Sequence, residues 1–170
     1  MEVILVRHAI AHERNRRRWP DDSRRPLTAA GIDKFRKAAR GIGACLPSAA
    51  VLLTSPYVRA RETADILASV AKLPKAVECP ELAASESAQQ GFALLRSRKE
   101  RILILVGHEP WLSQFLVAAL AGMESRFAIE FKKGGAACVQ FVGRPEPGRA
   151  TLRWMLPPRV LRAMKAAKRA

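Results

Sequence analysis

Apolar and polar positions alternate along this chain in blocks that read as strand, helix, strand, helix. Val3-Ile4-Leu5-Val6, Ala50-Val51-Leu52-Leu53-Thr54 and Ile102-Leu103-Ile104-Leu105-Val106-Gly107 are short continuous apolar runs, the pattern of strands buried on both faces of a sheet. Between them lie stretches with helical spacing. Thr28 is placed to cap a helix carrying Ile32, Phe35, Ala39, Ile42 and Leu46 on one face, with Pro47 as its stop. Ser55-Pro56 leads into a second helix, with Ala60, Ala64, Leu67, Val70 and Ala71 inward and its end near Pro74. A weak strand signal at Ala76-Val77 precedes a helix over about 86–97, with Phe92, Leu94 and Leu95 inward. Leu112, Phe115, Leu116, Ala119 and Leu120 form a further helical stripe.

Beyond Gly122 the period changes to that of a hairpin. Residues 136–142 and 150–155 read as two strands joined through the Gly143–Gly148 turn region. Pro157-Pro158 then opens a last helix carrying Val160, Leu161 and Met164. These blocks predict an α/β fold: a three-layer α/β/α sandwich whose central sheet is mostly parallel, with an antiparallel component at the carboxyl end. A length of 170 residues with 49% hydrophobic content suits one domain spanning 1–170, without internal repeats.

Charge adds a constraint on partners. The net charge of +15 favours anionic company, namely phosphorylated substrates, acidic proteins, nucleic acid or anionic surfaces. Arg14, Arg16, Arg17, Arg18, Arg24 and Arg25 cluster in one polar stretch, and Arg159, Arg162, Lys165, Lys168 and Arg169 at the carboxyl end. Either cluster could be a solvated face or a binding surface. Aromatics interleaved with the basic residues are nearly absent apart from Trp19, which argues against nucleic acid. Cys45, Cys79 and Cys138 are odd in number and widely spaced, so neither a disulfide framework nor a metal cluster is expected. No apolar run approaches the roughly 20 residues that span a bilayer, and a cytoplasmic, soluble protein is the default expectation.

The chemistry collects where the apolar runs end. Arg7-His8 follows the first run, Arg59 lies shortly after the second, and His108 follows the third. In open α/β sheets the residues just past the carboxyl ends of the strands line the ligand crevice. A neutral imidazole is a competent nucleophile toward phosphorus, and the guanidinium fork bonds two phosphoryl oxygens at once. Fixed positive charge can offset the charge on the equatorial oxygens, so no metal or other cofactor is expected.

These same residues carry a family resemblance. Arg7-His8-Ala9 resembles the Arg-His-Gly signature of the histidine phosphatase (phosphoglycerate mutase-like) superfamily, and Ser55-Pro56-Tyr57-Val58-Arg59-Ala60-Arg61-Glu62-Thr63 resembles its Ser-Pro-x-x-Arg-Ala-x-x-Thr segment. Val106-Gly107-His108-Glu109-Pro110 resembles its second-histidine motif. With Arg25-Pro26-Leu27-Thr28-x-x-Gly31 and the ending Trp154-Met155-Leu156-Pro157-Pro158, the chain is most similar to the short, SixA-type phosphohistidine phosphatase branch, over residues 2 to about 162.

The resemblance implies that His8 becomes phosphorylated, that Arg7 and Arg59 hold the phosphoryl oxygens, and that His108 bonds the same group. Ala9 departs from the usual glycine, and the general acid of larger members has no clear counterpart. Glu81 and Glu86 lie in the right interval for that acid, against the alternative of solvated or helix-capping carboxylates. A missing acid favours phosphohistidine, because an alkoxide leaving group needs a proton whereas an imidazole can already carry one. Glu62 and Glu109 are read as arginine partners or solvent-facing, His12 as exposed, and Lys132 and Lys133 as a solvated pair or a source of positive potential.

Three functions follow in order. The first is a metal-independent phosphatase acting on phosphohistidine in a signalling or phosphotransfer protein. The second is the same chemistry on a small phosphorylated metabolite, with Glu81 or Glu86 as acid. The third is a noncatalytic basic module binding nucleic acid or an anionic surface, marked by strong salt dependence.

Overall fold

The computed structural model describes residues 1–46, 50–84 and 86–164. Six strands form one sheet: β1 (Glu2–Arg7), β2 (Val51–Thr54), β3 (Val77–Glu78), β4 (Ile102–Gly107), β5 (Ala136–Phe141) and β6 (Ala150–Leu156). Their order is β3-β2-β4-β1-β5-β6. The first four run parallel, and β5 and β6 are antiparallel to their neighbours.

Five helices cover the sheet: α1 (Ala29–Cys45), α2 (Val58–Ala71), α3 (Ala88–Arg96), α4 (Trp111–Ala121) and α5 (Pro158–Ala163). Strand side chains alternate between faces, so every apolar strand feeds two cores. Val3 and Leu5 pack with Leu103 and Leu105 beneath α3 and α4, against Phe92, Trp111 and Phe115. Ile4 and Val6 point the other way, with Ile104 and Val106, against Phe35 and Ile42 of α1, Leu67 of α2 and Leu161 of α5. This is the three-layer sandwich with a mixed sheet that the periodicity predicts.

Local signals placed the helices. The Thr28 hydroxyl accepts the Gly31 N–H and caps α1. Ser87 and Gln90 form a reciprocal capping box at the start of α3. The α1 helix ends at Cys45, and its expected stop, Pro47, lies outside the described residues. One packing expectation needs correction. Val160 is 37% exposed, because α5 is a short helix that turns only Leu161 fully inward. The last basic cluster divides: Arg159 and Arg162 are exposed on α5, while Lys165, Lys168 and Arg169 lie outside the described residues. Among the described residues no helix is long and apolar enough to cross a membrane.

The sheet register decides the rest. Arg7 pairs with Gly107 between β1 and β4, and Thr54 pairs with Val106 between β2 and β4. The three strands are adjacent, so His8, Ser55 and His108 emerge at one level of one edge. Neighbouring strands lie about 4.8 Å apart, which sets the spacing of whatever follows them.

Candidate active site

His8 and His108 stand side by side at this edge, with ring centroids 5.1 Å apart. The His8 N–H bonds the Gly107 carbonyl, and the Ser55 N–H bonds that of Val106, so backbone ties extend the sheet geometry one residue past each strand. His8 Nδ1 lies 2.7 Å from the Ala9 carbonyl oxygen. A carbonyl only accepts, so Nδ1 carries the proton and Nε2 keeps its lone pair. Burial, opposed in part by that backbone bond and reinforced by the charges of Arg59, Arg7 and Lys133, pushes the His8 pKa down to about 3. The ring is neutral at physiological pH, as a nucleophile must be.

His108 Nε2 lies 2.8 Å from the Ser55 hydroxyl. That hydroxyl also accepts the Tyr57 N–H, and when it donates its proton to His108 Nε2 the imidazole carries its own on Nδ1. Burial first, then His8 and Arg59, push the His108 pKa down to about 2. Tyr57 packs on His108 at 4.9 Å between ring centroids, and the Arg59 guanidinium sits 4.9 Å from the Tyr57 ring centre.

The arginines arrive from two elements. Arg7, the last residue of β1, donates to the Phe131 carbonyl through Nη1. Arg59, in the first turn of α2, donates to the Asp22 carbonyl at 2.8 Å and pairs with its carboxylate at 3.2 Å. Its side chain is only 4% exposed. Arg7 Nε, Arg59 Nε and His108 Nδ1 are buried with no hydrogen-bond partner among the described residues. Unmet buried donors are costly, of the order of 1–3 kcal/mol each. The charges of Arg59 and Arg7 also act on the neutral His8 imidazole, a positive field that favours an oxyanion.

Of the residues singled out from sequence, the structure thus gathers Arg7, His8, Arg59 and His108. Among the described residues Glu81 and Glu86 share no hydrogen bond or ion pair with these four. Glu81 accepts the Cys79 thiol at 3.0 Å, and a hydrogen bond from that thiol holds its carboxyl below the usual value. The Glu86 backbone N–H bonds Ala83 at a turn before α3. Among the described residues Glu62 has no arginine partner: it accepts the Leu27 N–H at 2.7 Å. Glu109 accepts the Ser113 hydroxyl at 2.6 Å, and its charge is felt at Arg7.

Residues 9–28 return over the site in a bound arm. Ala11 bridges Leu27, His12 N–H bonds Pro26, and a 3-10 turn at Asp22–Arg24 brings Asp22 to Arg59. His12 is half-buried and packs on Trp19 at 5.1 Å between ring centroids, which corrects the expectation of an exposed side chain. Lys132 pairs with Glu130, whereas the charge of Lys133 acts on His8.

Two residues of this site escaped the sequence reasoning. Thr63, fully buried, accepts the Ala9 N–H at 3.0 Å and donates to the Arg59 carbonyl at 2.6 Å, tying the loop after His8 to the helix of Arg59. Its signal was the threonine four positions after Arg59 in the Ser-Pro motif. Asp22, among six arginines of the polar stretch, carried no signal of its own. Among the described residues no three His, Cys, Asp or Glu side chains gather as a metal site requires.

The comparisons with known proteins agree with this geometry. Residues 3–86 match the model of the histidine phosphatase superfamily (branch 1). An uncharacterized protein of Picosynechococcus sp. is 32% identical over 138 residues, 79% of this chain and 82% of that one. The protein histidine phosphatase SixA, solved with tungstate, superposes with a TM-score of 0.78 at 27% identity, covering 95% of this chain and 99% of that one. The fold is shared with the alpha-ribazole phosphatase from Shigella flexneri, with a TM-score of 0.66 at 20% identity over 93% and 97% of the two chains. Strand order, the pair of facing histidines and these likenesses lead to one conclusion: the chain belongs to the histidine phosphatase superfamily, in its SixA-type branch, and is a phosphatase.

Proposed function

We propose that this phosphatase removes the phosphoryl group from phosphohistidine in a signalling or phosphotransfer protein, through a phosphohistidine intermediate on its own His8. The observation that carries this reading is the neutral His8 ring, its Nδ1 proton spent on the Ala9 carbonyl and its Nε2 free, beside three buried nitrogens without protein partners. The Nε2 lone pair attacks phosphorus as the bond from phosphorus to the substrate imidazole breaks. Arg7 and Arg59 hold the phosphoryl oxygens, and His108 donates through Nδ1. A bound phosphoryl dianion raises the proton affinity of His108, opposite to the effect of burial and neighbouring cations. Water then attacks the same phosphorus, the bond to Nε2 breaks, and inorganic phosphate departs.

Two further features support phosphohistidine. Glu81, one of the two carboxylates in the interval where larger members carry their general acid, is instead engaged by the Cys79 thiol. SixA, the structural relative with a TM-score of 0.78, is a protein histidine phosphatase. Exposed Arg16, Arg17, Arg18 and Arg24 on the arm would steer an acidic phosphoprotein toward the site. The three free thiols fit a reducing, cytoplasmic setting. The second reading, a small phosphorylated metabolite, draws on the alpha-ribazole phosphatase among the fold relatives.

The test is phosphate release from a phosphohistidyl carrier protein by chelator-treated native protein and by His8→Ala. Release that survives chelation and disappears in the variant is expected. No release by the native protein turns the assignment to small metabolites, and equal release by both removes His8 as nucleophile.

A further inference from the structure

A phosphate-binding site gains nothing from a carboxylate laid on its own arginine, yet Asp22 occupies that position. Its Oδ2 lies 3.2 Å from Arg59 Nη2, and its carbonyl takes the Arg59 Nη1 proton at 2.8 Å. Oδ1 meets Arg25 at 2.8 Å and Arg14 at 3.4 Å. The Asp22 side chain is 30% exposed where that of Arg59 is 4%, so of this pair it is the carboxylate that solvent, and a molecule arriving from it, can reach. A negative charge here lowers affinity for the phosphoryl group, and merely orienting Arg59 would not require it, since a neutral amide could do the same.

The charge becomes useful if it acts on the leaving group. We propose that Asp22 selects the leaving group, its carboxylate receiving the N–H of the substrate imidazole and so favouring a phosphoramidate over a phosphate ester. This rests on the phosphatase reading given above. The ring of phosphohistidine takes a proton from water on the nitrogen that does not bear phosphorus. The bond from phosphorus to nitrogen then breaks with its electron pair passing to the ring, which leaves as a neutral imidazole while the bond from His8 Nε2 to phosphorus forms. Asp22 stabilises the protonated ring that this path requires.

The same carboxylate cannot serve an ester as general acid. Partial burial raises its proton affinity, but the hydrogen bond from Arg25 and the charges of Arg59, Arg25 and Arg14 outweigh that and keep it ionised. An alkoxide or phenolate leaving group would instead be repelled by it.

The experiment compares kcat/KM at pH 8 for a phosphohistidyl protein and for p-nitrophenyl phosphate, with native protein, Asp22→Asn and Asp22→Ala. Any common change caused by a shifted Arg59 cancels in the ratio of the two substrates. Loss of one hydrogen bond to a charged group predicts that the ratio of phosphohistidine to ester falls about tenfold or more in both variants. A ratio that stays constant, whether both rates fall together or neither moves, overturns the proposal and leaves Asp22 as a support for Arg59. A native protein that cleaves the ester but not phosphohistidine would overturn the functional reading itself, a different outcome.

Discussion

Acid should unfold this protein through its two buried histidines. In the folded state the pKa of His8 is pushed to about 3 and that of His108 to about 2, first by burial, from the 6.5 of a free imidazole. Folded values below the unfolded value mean that the unfolded chain binds more protons, so the stability is fully present above that value and is lost as pH falls toward the folded ones. One pKa unit corresponds to about 1.4 kcal/mol. Between pH 7 and pH 5 an unfolded histidine gains most of a proton and a folded one gains none, which costs about 2 kcal/mol per ring and about 4 kcal/mol for the pair. The figure needs only that both rings stay neutral in the fold at pH 5. Against a total stability of about 5–15 kcal/mol the loss is large. Urea unfolding at the two pH values should show a drop of about 4 kcal/mol for the native protein and about 2 kcal/mol for His8→Asn, which removes one titrating ring. A variant that keeps the whole pH dependence, or a native protein without any, would refute the claim that these imidazoles are held neutral by burial.

Three further perturbations follow from particular contacts. Thr63→Val keeps the shape of a fully buried side chain but leaves the Ala9 N–H without its acceptor; thermal unfolding should reveal a loss of about 1–3 kcal/mol, together with a slower phosphatase rate. Arg59→Lys keeps the charge and loses the fork, so kcat should fall about 100-fold on a phosphohistidyl protein; a loss below about threefold would show that charge alone suffices. A Cβ at Gly31 would meet the Ile10 carbonyl oxygen at 2.1 Å, where the start of α1 crosses the chain just past His8. Gly31→Ala should therefore cost about 1–3 kcal/mol in a urea titration, and full native stability would contradict that close crossing.

Much of the site was legible because strand ends are legible. Three short apolar runs read as interior strands, and each is followed within a few residues by His8, Arg59 or His108. What joins them is the register of β1, β4 and β2, which depends on which strands become neighbours. No local pattern states that β4 inserts between β1 and β2. The misreadings share one cause. Glu62 and His12 lie in or against irregular backbone, where a side chain's partner is set by the path of another segment. The helix face of Val160 failed for a related reason, because a helix as short as α5 buries only what its few contacts reach.

The sequence by itself determined the elements, their two-faced cores and the residue types that reach the sheet edge, because periodicity, capping and apolar runs act within a few neighbouring residues. Only the tertiary structure decided that His8 gives its Nδ1 proton to Ala9, that Thr63 ties the first strand's loop to α2, and that Asp22 closes on Arg59 across 37 positions. Those choices rest on hydrogen bonds and charge pairs between segments far apart in sequence. Their partners are fixed by packing the sheet and its helices, which no window along the chain contains.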